Sequence, residues 1–316
     1  MYPDHRIIAV VVTYEPEPDV LGALLQSIAL QVEAVVIVDN GSQRDLTFID
    51  RSCGNDRRVT IIRLNENQGI AAAQNIGIAE AIERGAYYIL LLDHDSIPMP
   101  DMVEKLYLTC RALLQDGKKV AAVGPSYRVP HANDSSYFVQ FGMVKFKKIE
   151  RQQWAGKAYV LADFLISSGC LIPTAALEDI GPMDETLFID HVDTDWFLRA
   201  RAKNYLIYGV PDALMEHFLG DSQFMFRLGK PRMLPVHKPI RFYYIFRNSI
   251  LLYRRTYAAK KWILNDLVRL GLMFIVFTTC IHPRGQYLKM IGRGIADGIR
   301  GISGKFQASF PGAFIP

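Results

Sequence analysis

Tyr87-Tyr88-Ile89-Leu90-Leu91-Leu92-Asp93-His94-Asp95-Ser96 joins an apolar run directly to two aspartates one residue apart. A short, unbroken apolar run reads as a strand buried on both faces, and such strands belong to parallel sheets covered by helices. Toward the N-terminus, residues 7–12, 34–38 and 59–64 repeat the apolar, β-branched signature. Helical spacing fills the intervals, through Leu21, Leu24, Leu25 and Ile28 after Asp19 and again over residues 70–82. Strands alternating with helices predict right-handed β-α-β units, and so an α/β fold with a mainly parallel sheet.

Beyond Ser96 the pattern loosens. Residues 120–123 form a further strand candidate, 137–146 and 163–172 a mixed or antiparallel part, 190–202 a helix, and 206–210 and 213–217 two more strands. From Pro239 the chain is helical in character. A soft boundary near Asp221 therefore divides an α/β domain, residues 1–220 with halves of about 1–125 and 126–220, from a basic helical segment, residues 221–316. The apolar stretch 262–281 is interrupted by Asn265, Asp266 and Arg269, and what remains is too short to cross a bilayer. Its expected roles are an amphipathic helix on a membrane or at a dimer contact, or a core helix.

With half of its 316 residues apolar and about a fifth charged, the chain is globular rather than disordered. The formal charge of +4 is uneven: Arg227, Lys230, Arg232, Lys238, Arg241, Arg247, Arg254, Arg255, Lys260 and Lys261 crowd one stretch. Such a stretch predicts an anionic partner, and without any nucleic-acid motif a membrane surface or lipid-linked diphosphate ranks ahead of nucleic acid. The four cysteines, Cys53, Cys110, Cys170 and Cys280, show no C-x-x-C spacing, and the N-terminus carries no signal peptide pattern, so the expected compartment is the cytoplasm.

In α/β sheets ligands lie outside the carboxyl ends of the strands. Here those ends read Thr13-Tyr14-Glu15, Asp39-Asn40-Gly41-Ser42, Asn65-Glu66-Asn67-Gln68-Gly69 and Asp93-His94-Asp95. Neither G-x-G-x-x-G nor G-x-x-x-x-G-K-[ST] occurs, so a phosphate-bearing ligand would be gripped through a metal instead of a glycine cradle. Asp93 and Asp95 supply hard oxygen ligands suited to Mg²⁺ or Mn²⁺. Asp39 either shapes the Asn40-Gly41 turn or accepts the N3–H of a pyrimidine. Asn67, Gly69, Ala71, Ala72, Ala73, Asn75 and Gly77 either let a ligand approach the backbone or let a helix pack tightly on the sheet. Residues 183–196 are dense in carboxylates beside apolar neighbours, where a general base is readily tuned. Helical spacing places Asp190 and Asp193 on one face and turns Asp195 away, which does not select among them. His217 is either structural or a ligand of metal or diphosphate.

Taken together and in order, Val11-Val12-Thr13-Tyr14, Val38-Asp39-Asn40-Gly41-Ser42, Asn67-Gln68-Gly69-Ile70-Ala71, Asn75-Ile76-Gly77, Leu92-Asp93-His94-Asp95-Ser96, Ser168-Gly169, residues 188–196, His217 and Arg247-Asn248 resemble the bacterial glycosyltransferase family 2 enzymes. Within these, the chain is most similar to the rhamnosyltransferase branch of O-antigen and other surface-polysaccharide assembly, over residues 7–255. The resemblance implies a GT-A fold with a C-terminal helical extension, and direct displacement with inversion. Thr13 and Asp39, with Tyr14, Glu15, Asn67, Gly69 and Asn75, would hold the nucleotide. Asp93 would serve the ribose and metal region, Asp95 the cation, and His217 the metal or diphosphate. Asp193 is the implied general base, with Asp195 and Asp190 in reserve. Val192 stands where the family usually has glutamate, and His94 where the rhamnosyl branch has glutamine. The implied donor is dTDP-L-rhamnose, with a UDP-hexose or UDP-galactofuranose as alternative, and a catalytically inactive nucleotide-binding regulator is the alternative of another class. The implied acceptor is a hydroxyl of a glycan on a polyprenyl diphosphate, met at the inner face of the cytoplasmic membrane by a peripheral protein or homodimer.

Overall fold

The computed structural model describes residues 5–49, 58–128, 137–217, 222–226 and 232–307. The N-terminal half forms β1 (Ile7–Thr13), α1 (Pro18–Ile28), β2 (Ala34–Asp39), β3 (Val59–Arg63), α2 (Ile70–Glu83) and β4 (Tyr88–Asp93). Its four strands pair in parallel in the order β3-β2-β1-β4. β1 and β2 are buried at every residue because helices cover both faces. Ile8, Val10 and Val12 join the core beneath α2, while Ile7, Ala9 and Val11 join the core beneath α1. The small residues of α2 serve this contact. Ala71 and Ala73 lie in the core, and a Cβ at Gly77 would collide with the Val10 side chain, so tight packing rather than room for a ligand explains the body of that helix.

The chain continues through β5 (Ser96–Pro98), α3 (Met102–Gln115), β6 (Val120–Arg128), β7 (Tyr137–Gln140), β8 (Lys147–Glu150), α4 (Arg151–Trp154), β9 (Val160–Ala162), β10 (Leu171–Pro173), α5 (Thr174–Ile180), α6 (Val192–Ala202) and β11 (Leu206–His217). The central sheet runs β3-β2-β1-β4-β10-β6-β11-β5, with β9 also on β11. Short β10 is antiparallel to both β4 and β6, which makes the sheet mixed. The two strands expected over residues 206–217 are one, β11, with a register irregularity between Val210 and Leu214. The helix expected from Asp190 begins at Val192; Asp190 and His191 precede it with φ of 64° and 63°. The shared helical face of Asp190 and Asp193 therefore does not exist.

The C-terminal part opens with a hairpin absent from the sequence reading, β12 (Ser222–Phe226) and β13 (Arg232–Val236), and continues with α7 (Pro239–Tyr253), α8 (Lys260–Thr279) and α9 (Arg284–Arg300). α7 and α9 pack closely: a Cβ at Gly294 would lie 2.5 Å from the Tyr243 carbonyl oxygen. Phe242, Ile245, Phe277, Tyr287 and Ile291 form a core between these helices.

By length and composition α8 is apolar enough to cross a membrane, contrary to the sequence expectation. The polar residues that interrupt its sequence point inward. Asn265 exchanges two hydrogen bonds with the Gly142 backbone, and Asp266 accepts from Arg269 and from Tyr253. The outward face carries exposed Leu264, Leu267, Leu272 and Ile275.

Three residues of the basic stretch are engaged within the protein, while Lys238, Arg254, Lys260 and Lys261 are exposed. Arg241 pairs with Asp190, Arg255 pairs with Asp184, and Arg247 is fully buried. Arg227 and Lys230 fall outside the described residues.

Candidate active site

The carboxyl ends of β1 and β4, the start of α2 and the segment leading into α6 enclose a cavity of about 380 Å³. Its lining includes Thr13, Tyr14, Asn67, Gly69, Asp93, His94, Asp95 and Asp193, so the tertiary structure gathers most of the residues singled out in the sequence. The register of β1 with β2 and β4 causes this, because it ends Thr13, Asp39 and Asp93 at neighbouring levels.

The loops around the cavity are cross-braced. Asn40 Nδ2 donates to Asn67 Oδ1 at 3.2 Å, and that same oxygen accepts from the Gly69 amide at 2.9 Å. Gly69 has φ of +92° and a Cβ there would meet Phe188, so glycine is required at this approach. The turn bearing Asp93 and Asp95 is held by Ser168: the Asp93 amide donates to Ser168 Oγ at 3.0 Å, and Ser168 and Ser96 hydroxyls lie 2.7 Å apart. Asp93 and Asp95 are a donor set of the kind that Mg²⁺ takes when phosphate and water complete its shell. Among the described residues no group of three or more metal-ligating side chains is assembled. The backbone of His217 pairs with Ser96, adjacent to Asp95; its side chain lies outside what is described.

Three predicted nucleotide residues do not line the cavity. Asp39 is buried and accepts from Thr13 Oγ1 at 3.1 Å, from Ser42 Oγ at 2.6 Å and from the Ser42 amide at 3.1 Å. Glu15 accepts from the Gln43 amide, and Asn75 exchanges hydrogen bonds with the Met183 backbone, tying α2 to the segment before α6.

The three candidate bases separate cleanly. Asp195 is fully buried and accepts from Arg199 Nε at 2.9 Å and from the Tyr257 hydroxyl at 2.5 Å. Asp190 is held in a two-point ion pair by Arg241, at 2.8 and 2.6 Å. Asp193 uses Oδ1 to accept from the Thr194 amide at 2.6 Å and lines the cavity. Burial, reinforced by the charges of Asp190 and Asp93, pushes its carboxyl up to about 6. Replacement Asp195→Ala strands Arg199 and Tyr257 and is expected to cost about 3 kcal/mol of stability in urea unfolding with nucleotide affinity retained.

The segment before α6 is strained and clamped. Phe188, Asp190 and His191 all have positive φ. Asn248 Nδ2 donates to the carbonyls of Leu187, Ile189 and Asp190 at 2.8–2.9 Å, and Arg247 adds a bond to Leu187 at 3.0 Å. The Arg247-Asn248 pair thus holds the loop that presents Asp190 and Asp193. Burial pushes His191 down to about 4, which keeps it neutral near pH 7. Arg269 Nη2 lies 3.1 Å from its Nε2 and can only donate, so the ring proton sits on Nδ1.

Sequence reasoning missed Gln74 and Arg241 as cavity residues. Gln74 is 3% exposed, donates through Nε2 to Ser167 Oγ at 3.3 Å, and has no partner for its buried Oε1. Arg241 had no signal beyond its charge, because α7 alone brings it to the cavity.

This arrangement on a mixed α/β sheet defines a nucleotide-sugar transferase of the GT-A kind, and the chain belongs to glycosyl transferase family 2, whose pattern matches residues 8–179. It is 32% identical over 305 residues to the dTDP-rhamnosyl transferase RfbF of Shigella flexneri, covering 95% of this chain and 97% of that protein. Solved structures agree on the fold. TarS 1-349 of S. aureus in complex with UDP-GlcNAc superposes with a TM-score of 0.56 at 18% identity, covering 94% of this chain and 81% of that one. GalNAc-T7 with UDP, GalNAc and Mn²⁺ superposes with a TM-score of 0.60 at 12% identity, and the chain spans 56% of its length.

Proposed function

We propose that the protein is an inverting rhamnosyltransferase that moves L-rhamnose from dTDP-L-rhamnose to a hydroxyl of a lipid-linked surface glycan. The observation that carries this reading is that Asp93, Asp95 and the elevated carboxyl of Asp193 line one cavity. The full-length likeness to RfbF supports the choice of donor.

Asp93 and Asp95, with His217, would hold Mg²⁺ or Mn²⁺, which when bound neutralises charge on the departing diphosphate. Arg241 also lines the cavity, where its pair with Asp190 fixes the position of both side chains. Tyr14 and Thr13 flank the nucleobase. Asp39, outside the cavity lining, acts by holding Thr13 and Ser42, whose hydroxyls donate to it. Gln74 Oε1 is placed to accept from a hydroxyl of the donor sugar, because its amide nitrogen is already engaged by Ser167. Asp193 takes the proton of the acceptor hydroxyl as that oxygen bonds to the anomeric carbon and the bond to the diphosphate breaks, inverting the centre.

Calorimetric titration with dTDP and UDP, each with Mg²⁺ or Mn²⁺ and again with EDTA, tests the reading. Expected is metal-dependent binding that favours dTDP. A UDP preference would reassign the donor to a UDP-hexose or UDP-galactofuranose, and binding of neither would sink the transferase reading.

The exposed apolar face of α8, with exposed Lys260 and Lys261 at its start, supports peripheral contact with the anionic inner face of the cytoplasmic membrane. The protein should sediment with anionic vesicles, and Leu267→Glu with Leu272→Glu should release it. Failure to sediment together with a doubled mass in solution would instead assign the face to a homodimer.

A further inference from the structure

A second cavity of about 620 Å³ lies between the β7–β8 hairpin, the 164–168 segment and the C-terminal helices. It shares Asp190 and His191 with the first cavity, and Thr194, which lines it, follows Asp193 in the chain. Whatever occupies it sits beside the hydroxyl that Asp193 deprotonates.

Its walls are mainly hydrocarbon and aromatic, with Phe138, Phe146, Phe164, Phe242, Trp262 and Phe277 among them. Three polar groups of the wall, Asp266, Arg269 and His191, are tied into one network. Asp266 accepts from Arg269 and Tyr253, Arg269 also donates to His191, and the Ser249 hydroxyl lies 2.9 Å from the same imidazole nitrogen. A sugar, with a hydroxyl on nearly every carbon, would lose most of its water against these walls for few partners, whereas a hydrocarbon needs none. Lys148, exposed and 3.6 Å above the Tyr137 ring, adds a positive charge at the same cavity, as a phosphate between sugar and hydrocarbon would require.

We infer that this cavity receives the apolar aglycone of the acceptor. The inference rests on the transferase reading for the identity of the occupant. Because the two cavities share Asp190 and His191, the hydroxyl attacked lies near the hydrocarbon, so the enzyme acts early on a growing chain.

The test compares binding of decyl and methyl β-D-glucopyranoside, the former below its micelle concentration, by calorimetry on the whole protein. Wild type should bind the decyl compound at least about tenfold more tightly, as burial of several methylenes requires. Ile166→Trp and Met273→Trp, which narrow the cavity from two different elements of its lining, should each abolish most of that preference. Equal affinity for the two glycosides in wild type, or an undiminished preference in both variants, overturns the inference. Nucleotide affinity on the same samples shows that the variants fold, and if a variant loses it, the wild-type comparison decides alone. A decyl preference in a protein that binds no nucleotide would sink the transferase reading and leave the apolar site standing.

Discussion

Asp193→Asn is expected to lower kcat by about 10³-fold while leaving nucleotide affinity unchanged, because removal of a general base acts on the proton transfer and not on the donor contacts. Asp195 is spent on Arg199 and Tyr257, and Asp190 on Arg241, so neither can substitute. Wild-type kcat/KM should rise with pH through the ionisation of Asp193 at about 6 and then level. Asp193→Asn should lose that limb. A variant with a rate near wild type would remove Asp193 from the chemistry.

The same group makes a stability prediction of definite sign. Burial raises the folded pKa of Asp193 from 3.8 to about 6, so the folded state favours the protonated form. Stability from that form is fully present below the unfolded value and is lost as pH rises through about 6. Asp193→Asn, permanently neutral, should therefore be more stable than wild type at pH 8 by up to about 2 kcal/mol in urea unfolding, with the gain vanishing near pH 4. A gain that persists at pH 4 would mean that shape, not charge, is responsible.

Asp95→Ala is expected to fail differently, losing about 10²- to 10³-fold in turnover together with the metal-dependent part of nucleotide binding. Wild-type affinity for the nucleotide should fall when EDTA is added; the variant should already bind weakly and be indifferent to EDTA. Turnover by Asp95→Ala that still responds to Mg²⁺ or Mn²⁺ would place the cation elsewhere. The two variants separate the roles: one keeps the nucleotide and loses the chemistry, the other loses the metal-linked grip on the diphosphate.

The N-terminal half of the fold was legible because its signals are local. β1, β2 and β4 are unbroken apolar runs with abrupt polar ends, and those ends are where the cavity forms. Chain order and the right-handed crossover rule then suffice to bring Thr13 and Asp93 together. The family motifs added Ser168-Gly169 and Arg247-Asn248 as landmarks, yet not their work: one holds the Asp93 turn, the other clamps the carbonyls of residues 187–190.

By itself the sequence determined the α/β class, the strand ends that line the cavity, and the paired aspartates at the end of β4. Only the tertiary structure decided that Asp190 and Asp195 are held by arginines while Asp193 faces the cavity without one among the described residues, that Asn75 and the small residues of α2 are spent on packing, and that Arg241 reaches the cavity. The physical reason is the range of the interactions. Strand burial and turn chemistry are set by neighbours in sequence, whereas an ion pair such as Asp190 with Arg241, or the hydrogen bond from Tyr257 to Asp195, joins residues more than fifty positions apart and exists only once α7 and the chain after it have packed against the sheet.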